Sequence, residues 1–159
     1  MSTHCGISGR RSTENVTRDF EELFGCLNAH HVKAIIVGGY ARAFHGRPRY
    51  TKDIDVLIEP TLDNAARTIA ALTDFGFESL IVTTEDLATP SRIVHLGIPP
   101  NQVDLMTSID GVTFAEAWEG RASGHYGAQP IFFLGRNEFI KNKRTLGRLR
   151  DLADIDDLL

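Results

Sequence analysis

Apolar residues recur at helical spacing near the start of the chain. Val16, Phe20, Leu23, Phe24 and Leu27 predict a helix running to about His30. Ala34-Ile35-Ile36-Val37 is a short, largely β-branched run stopped by Gly38-Gly39, the pattern of a buried strand. Tyr40 to His45 follows as a short helix, with Pro48 ending that stretch. Asp53 to Ile58 predicts a second strand, closed by Glu59-Pro60. Thr61 is placed to cap a helix over residues 62–75, with Leu62, Ala65, Ala66, Ile69, Ala70, Leu72 and Thr73 as its periodic face. Phe77 to Val82 reads as a strand and residues 85–87 as a helical turn. Arg92 to Leu96 and Gln102 to Met106 read as the two strands of a hairpin through the turn-rich residues 97–101. A short helix over Phe114 to Trp118, a short strand over Ile131 to Leu134, and helices over 137–146 and 149–159, separated by Gly147, close the chain. The fold class predicted is α/β or α+β, with strands near the middle and helices at both ends. Residues 1–14 carry almost no apolar content and read as a disordered tail. That leaves one domain over 15–159, with its C-terminal helices from about residue 136.

Composition agrees with a single soluble domain. The chain has 159 residues, 42% apolar and 24% charged. A net charge of −4 argues against a protein whose main work is coating DNA or a membrane, while leaving room for a local basic patch. With only Cys5 and Cys26, a reduced, cytoplasmic protein is the simplest expectation. No run approaches the roughly 18 apolar residues of a membrane span, and the N-terminus lacks the apolar core of a signal peptide.

Candidate chemistry begins at the second strand. Side chains alternate faces along a strand, so Asp53 and Asp55 point the same way, roughly 6.6 Å apart, while Ile54 and Val56 turn to a core. Two carboxylates on one face repel unless positive charge sits between them. Oxygen-only donors suit a hard cation, Mg²⁺ or else Mn²⁺. Asp104 is the polar interruption in Val103-Asp104-Leu105-Met106. If its strand lies beside the Asp53–Asp55 strand, the carboxylates converge into a set able to hold two such ions. Gly38-Gly39, between a buried strand and a short helix, lets a ligand approach the backbone closely. Arg42, Arg47, Arg49 and Lys52 lie between the glycines and the carboxylates and can neutralise a triphosphate; Thr51 can order that loop or touch a phosphate. His45 is a weaker phosphate candidate. His95 and His125 read as structural or exposed, and Trp118 as a core or interface anchor.

Val37-Gly38-Gly39, a spacer at the long end of the usual range, Asp53-Ile54-Asp55 and a later third carboxylate at Asp104 resemble the nucleotidyltransferase superfamily with the DNA polymerase β-like core. The text GGYARAFHGRPRYTKDIDV is most similar to the compact bacterial branch that includes abortive-infection type nucleotidyltransferase toxins. It departs from the minimal branch, which has a tighter spacer and usually Gly-Ser. The tail, Ile140-Lys141-Asn142-Lys143-Arg144 and then Arg150-Asp151-Leu152-Ala153-Asp154, resembles the end of the toxin-like branch, although Leu149-Arg150 stand where Pro-Lys is frequent.

The resemblance implies a nucleotidyltransferase-type mixed sheet with flanking helices and a short C-terminal helical segment. It implies transfer of a nucleoside monophosphate from an NTP such as ATP to a hydroxyl acceptor, with release of pyrophosphate. Asp53 and Asp55 would hold both metals, and Asp104 the metal near the acceptor. Gly38, Gly39, Arg42, Arg49 and Thr51 would contact the nucleotide. Lys143 would meet the phosphates, and Asp151 and Asp154 match the acidic positions that follow it. The acceptor, whether tRNA, a protein or a small molecule, is open. The alternative is a non-catalytic nucleotide- or partner-binding module of a toxin–antitoxin pair.

Overall fold

The computed structural model describes residues 16–45, 53–77, 81–97 and 102–158. The expected tail and the candidates Arg47, Arg49, Thr51 and Lys52 lie outside them. Among the described residues seven helices flank a six-stranded mixed sheet, an α+β architecture.

Helix α1 (Val16–Ala29) buries Phe20, Leu23, Phe24, Cys26 and Leu27, the stripe its spacing predicts. Cys26 is disulfide-bonded, against the reduced state expected. Strand β1 (Ala34–Val37) leads into α2 (Gly38–Phe44), which begins on the glycines themselves. Strand β2 (Asp53–Ile58) follows, then α3 (Leu62–Phe75), whose first turn is capped by the Thr61 hydroxyl accepting from the Asn64 N–H. The buried face of α3 is Asn64, Ala65, Thr68, Ala71, Leu72 and Phe75. That is offset from the expected face, because Leu62, Ala66, Ala70 and Thr73 are exposed. Apolar character alone cannot tell an alanine that packs from one that faces water.

Phe77, Ile81 and Val82 are not in a strand, and Ile81 is 94% exposed. The segment lies instead just before α4 (Thr84–Ala88), whose Thr83/Asp86 capping box fixes its start. Strands β3 (Ile93–Leu96) and β4 (Gln102–Met106) form the expected antiparallel pair. Helix α5 (Phe114–Glu119) starts on a second capping box, Thr113/Glu116. It is followed by β5 (Ala122–Tyr126), a strand the polar text ASGHY does not announce, and by β6 (Gln129–Phe133). Helices α6 (Arg136–Leu146) and α7 (Leu149–Leu158) meet at Gly147, which takes the left-handed conformation with φ 65°. No helix among the described residues is long and apolar enough to cross a membrane.

The strand order is β3-β4-β2-β1-β6-β5. Strands β1 and β2 are antiparallel, whereas β2–β4 and β1–β6 are parallel. Ile54, Val56, Val103 and Leu105 are all at most 2% exposed, so one face of β2 and β4 is core. The other face of the same strands carries Asp53, Asp55, Gln102 and Asp104.

Asn64 ties the core layers together. Its amide accepts from the Lys33 N–H at 2.8 Å and donates to the Lys33 and Glu59 carbonyls at 3.1 and 3.0 Å. One buried side chain thus joins α3 to the entry of β1 and the exit of β2. Asn64→Ala leaves those buried backbone groups without partners and is expected to lower stability by about 2–4 kcal/mol, read by urea unfolding.

Candidate active site

Register brings the candidate carboxylates together. Asp55 and Asp104 are direct partners in the parallel β2–β4 pair, Asp53 is partnered by Gln102, and Asp104 by His95 in the β3–β4 pair. Val37, Asp55, Asp104 and His95 therefore form one row across four strands. Asp55 and Asp104 share a side-chain hydrogen bond. The Asp55 carboxyl is raised to about 6, first by burial, then by the charges of Asp104 and Asp53; Lys143 opposes the shift. Asp104 also receives the His95 Nδ1 at 2.6 Å and the Gln102 amide at 2.9 Å on the same oxygen, Oδ1.

The arrangement is a facing pair with Asp53 alongside, not a closed triad. Among the described residues no three His, Cys, Asp or Glu side chains are grouped as a finished metal cage. The donor chemistry nonetheless fits a hard divalent cation. Burial and the neighbouring charges of Asp104 and Asp53 both work against a charged Asp55, and a cation beside these carboxylates would offset that repulsion.

Gly38 explains why the turn must be glycine. Its φ is +69°, and a Cβ built there would lie 2.3 Å from Asp55 Oδ2. Any side chain would drive Asp55 from its place.

Of these groups Asp55 lines a cavity of about 630 Å³, within the range of small-molecule sites. Val37, Gly39 and Asp55 line one part of it and Lys143 and Asn142 of α6 another. Arg92, Arg148 and Arg150 add positive charge. Ile93, Met106, Ile109 and Leu146 give an apolar wall, with Ser91, Ser108 and Asp110 among them.

Lys143 reaches the cavity with its side chain 14% exposed, its Nζ 3.4 Å from Asp151 Oδ1 and 3.7 Å from Asp154 Oδ2. Arg148 grips Asp151 through both Nε and Nη2. That grip, with the Lys143 charge, holds the Asp151 carboxyl down at about 2 against the effect of burial.

Of the expected nucleotide contacts, Gly39 and Lys143 line the cavity and Gly38 seats Asp55. Arg42 turns inward: it is 8% exposed and its Nε stands 3.1 Å from Asp154 Oδ1. His45 is engaged by the Leu134 carbonyl at 2.8 Å, a structural tie. His95, expected to be structural or exposed, is exposed but touches Asp104. The β3–β4 register sets it opposite Asp104. Arg148 and Arg150 belong to a basic cluster of the tail that reads as ordinary helix-face charge; the fold brings them to one cavity with Arg92, which precedes β3.

Trp118 does anchor a cluster. Arg121 lies 4.0 Å over its ring, Phe114 stacks on it, and Phe132 meets it edge-on. No protein-family model matches the chain, and no curated protein matches it.

The raised Asp55 carboxyl has a signed consequence. The unfolded chain loses this proton near 3.8 and the folded one near 6, so the folded state binds more protons in between. Its stability contribution is full below the lower value and is lost as pH rises through about 6. Asp55→Asn removes the buried charge and with it the repulsion. It is expected to be more stable than wild type by about 1–2 kcal/mol near pH 8, allowing for screening at the open mouth, with the gap closing towards pH 4. Melting curves across that range read it; a gap that does not change with pH rules out a raised Asp55 carboxyl.

Proposed function

We propose that the protein is a nucleotidyltransferase that moves a nucleoside monophosphate from an NTP to a hydroxyl acceptor. The observation that carries this is the facing Asp55–Asp104 pair at a cavity that Gly39 and Lys143 also line. The cavity offers opposite charges in the places such a substrate needs. Asp55 lines it together with Lys143 and three arginines, and Ile93, Met106, Ile109 and Leu146 add apolar lining.

In this reading Asp53, Asp55 and Asp104 would hold Mg²⁺, or Mn²⁺ in its place. Bound there, the metal would neutralise triphosphate charge and make the acceptor hydroxyl more acidic. Gly38 and Gly39 keep side chains out of the way of the phosphates. Lys143 offsets the negative charge that grows on the leaving pyrophosphate. Asp104 would serve the acceptor side; it lies on β4, next to the edge strand β3. The acceptor oxygen forms a bond to the α-phosphorus, the bond from that phosphorus to the β-bridging oxygen breaks, and pyrophosphate departs with the electron pair. The hydroxyl proton passes to Asp104 or through it to water. Met106, Ile109 and Leu146 would face the base.

The test is transfer of label from each α-labelled NTP, with Mg²⁺, to components of a cell lysate. Wild type is expected to label an acceptor, Asp55→Ala to show no detectable transfer, and Lys143→Ala to be slower by about a hundredfold. Equal labelling by wild type and Asp55→Ala rejects the reading. Calorimetry with NTP and Mg²⁺ then tells a silent scaffold, which shows no metal-dependent nucleotide binding, from an enzyme lacking its acceptor.

A further inference from the structure

A buried ionic bridge connects the C-terminal helix to both sides of the candidate site. Asp151 is 0% exposed, Asp154 4% and Arg42 8%. The two oxygens of Asp154 point to different helices. Oδ1 stands 3.1 Å from Arg42 Nε on α2, the helix that begins at Gly38-Gly39, and Oδ2 stands 3.7 Å from Lys143 Nζ on α6.

Burying ions costs several kcal/mol each unless they are well paired, and apolar residues hold helices down with less penalty. Ile155, next along α7 and buried, does so. An ionic bridge adds direction. A lysine has a long flexible stem and three donors, and left alone it swings to water. Two carboxylates on α7 restrain the Lys143 ammonium at the cavity wall. Their distances, 3.4 and 3.7 Å, exceed the roughly 2.8 Å of a charge-assisted hydrogen bond. The amine donates one long hydrogen bond to Asp151, stands in the field of Asp154, and keeps its other donors for an anion.

We propose that Asp154 is a positioning residue. It joins Arg42, beside the glycine turn, to Lys143, so that α2 and α6 are held in one arrangement and the ammonium stays where a phosphate would meet it. The value of that arrangement rests on the reading of the cavity as an NTP site. Arg42 then serves as the counter-ion of Asp154, which gives a reason for its inward course.

The positioning is tested without nucleotide. Acetic anhydride labels lysines in the ligand-free full chain, and mass spectrometry reads Lys143 against Lys141, whose side chain is 53% exposed, in the same sample. In D154N the Lys143 to Lys141 ratio is expected to rise roughly fivefold, as a restrained amine is released. Melting curves confirm the fold; if D154N does not fold, D154S takes its place with the same expectation. An unchanged ratio in a folded variant overturns the proposal.

The affinity for a non-hydrolysable NTP with Mg²⁺ is measured on the same proteins and on K143Q. Both D154N and K143Q are expected to bind about tenfold more weakly. Weakening in K143Q but not in D154N overturns the proposal. A raised labelling ratio with affinity unchanged in both variants upholds the positioning and rejects the phosphate role of Lys143.

Discussion

Everything in the candidate site depends on a forced meeting of like charges. Ile54, Val56, Val103 and Leu105 belong to one core, and strand alternation turns the residues between them to the opposite face. The parallel register then sets Asp55 directly against Asp104. Neither carboxylate can retreat without pulling a buried β-branched or leucine side chain out of the core. The repulsion is therefore built into the fold; with burial it raises the Asp55 carboxyl, and the Lys143 charge nearby opposes it. Gly38 is bound by the same constraint, since the turn after β1 passes so close to Asp55 that no Cβ fits.

The positive side of the cavity is arranged with equal economy. Lys143 and Arg148 both answer to Asp151, and Asp154 shares Lys143 with Arg42. The last helix thus contributes buried carboxylates to a network reaching back to the first glycine turn. Its apolar surface alone would hold it in place without orienting any of these cations. A site assembled this way is acidic where the sheet shows its polar face and basic where α6 and α7 close over it. A polyphosphate with a metal would span that pattern of charge.

Much of the fold could be read from periodicity because it rests on local chemistry. The β1, β2, β3 and β4 boundaries and the Thr61 cap follow from β-branched runs, glycine stops and a hydroxyl placed before a helix. Failures came where local text was weak or shared between states. Phe77, Ile81 and Val82 are strand-like residues that lie in no strand among the described residues, whereas Ala122 to Tyr126 has little β character and becomes a strand because β6 lies beside it. In α3 the choice among alanines was made by what packs on the helix, not by the helix itself.

The sequence by itself determined the acidic face. Alternation in two short strands is enough to say that Asp53, Asp55 and Asp104 turn away from the core, and the glycine pair marks the tight turn beside them. Tertiary structure alone decided which of these groups meet. Register makes Asp55–Asp104 the pair and leaves Asp53 to its flank, brings His95 onto Asp104 from the edge strand, and turns Arg42 inward to Asp154. The physical reason is range. Side-chain direction along a strand is set within two residues, whereas the distance between two charges depends on how separate elements pack, and that packing is settled by the whole core at once.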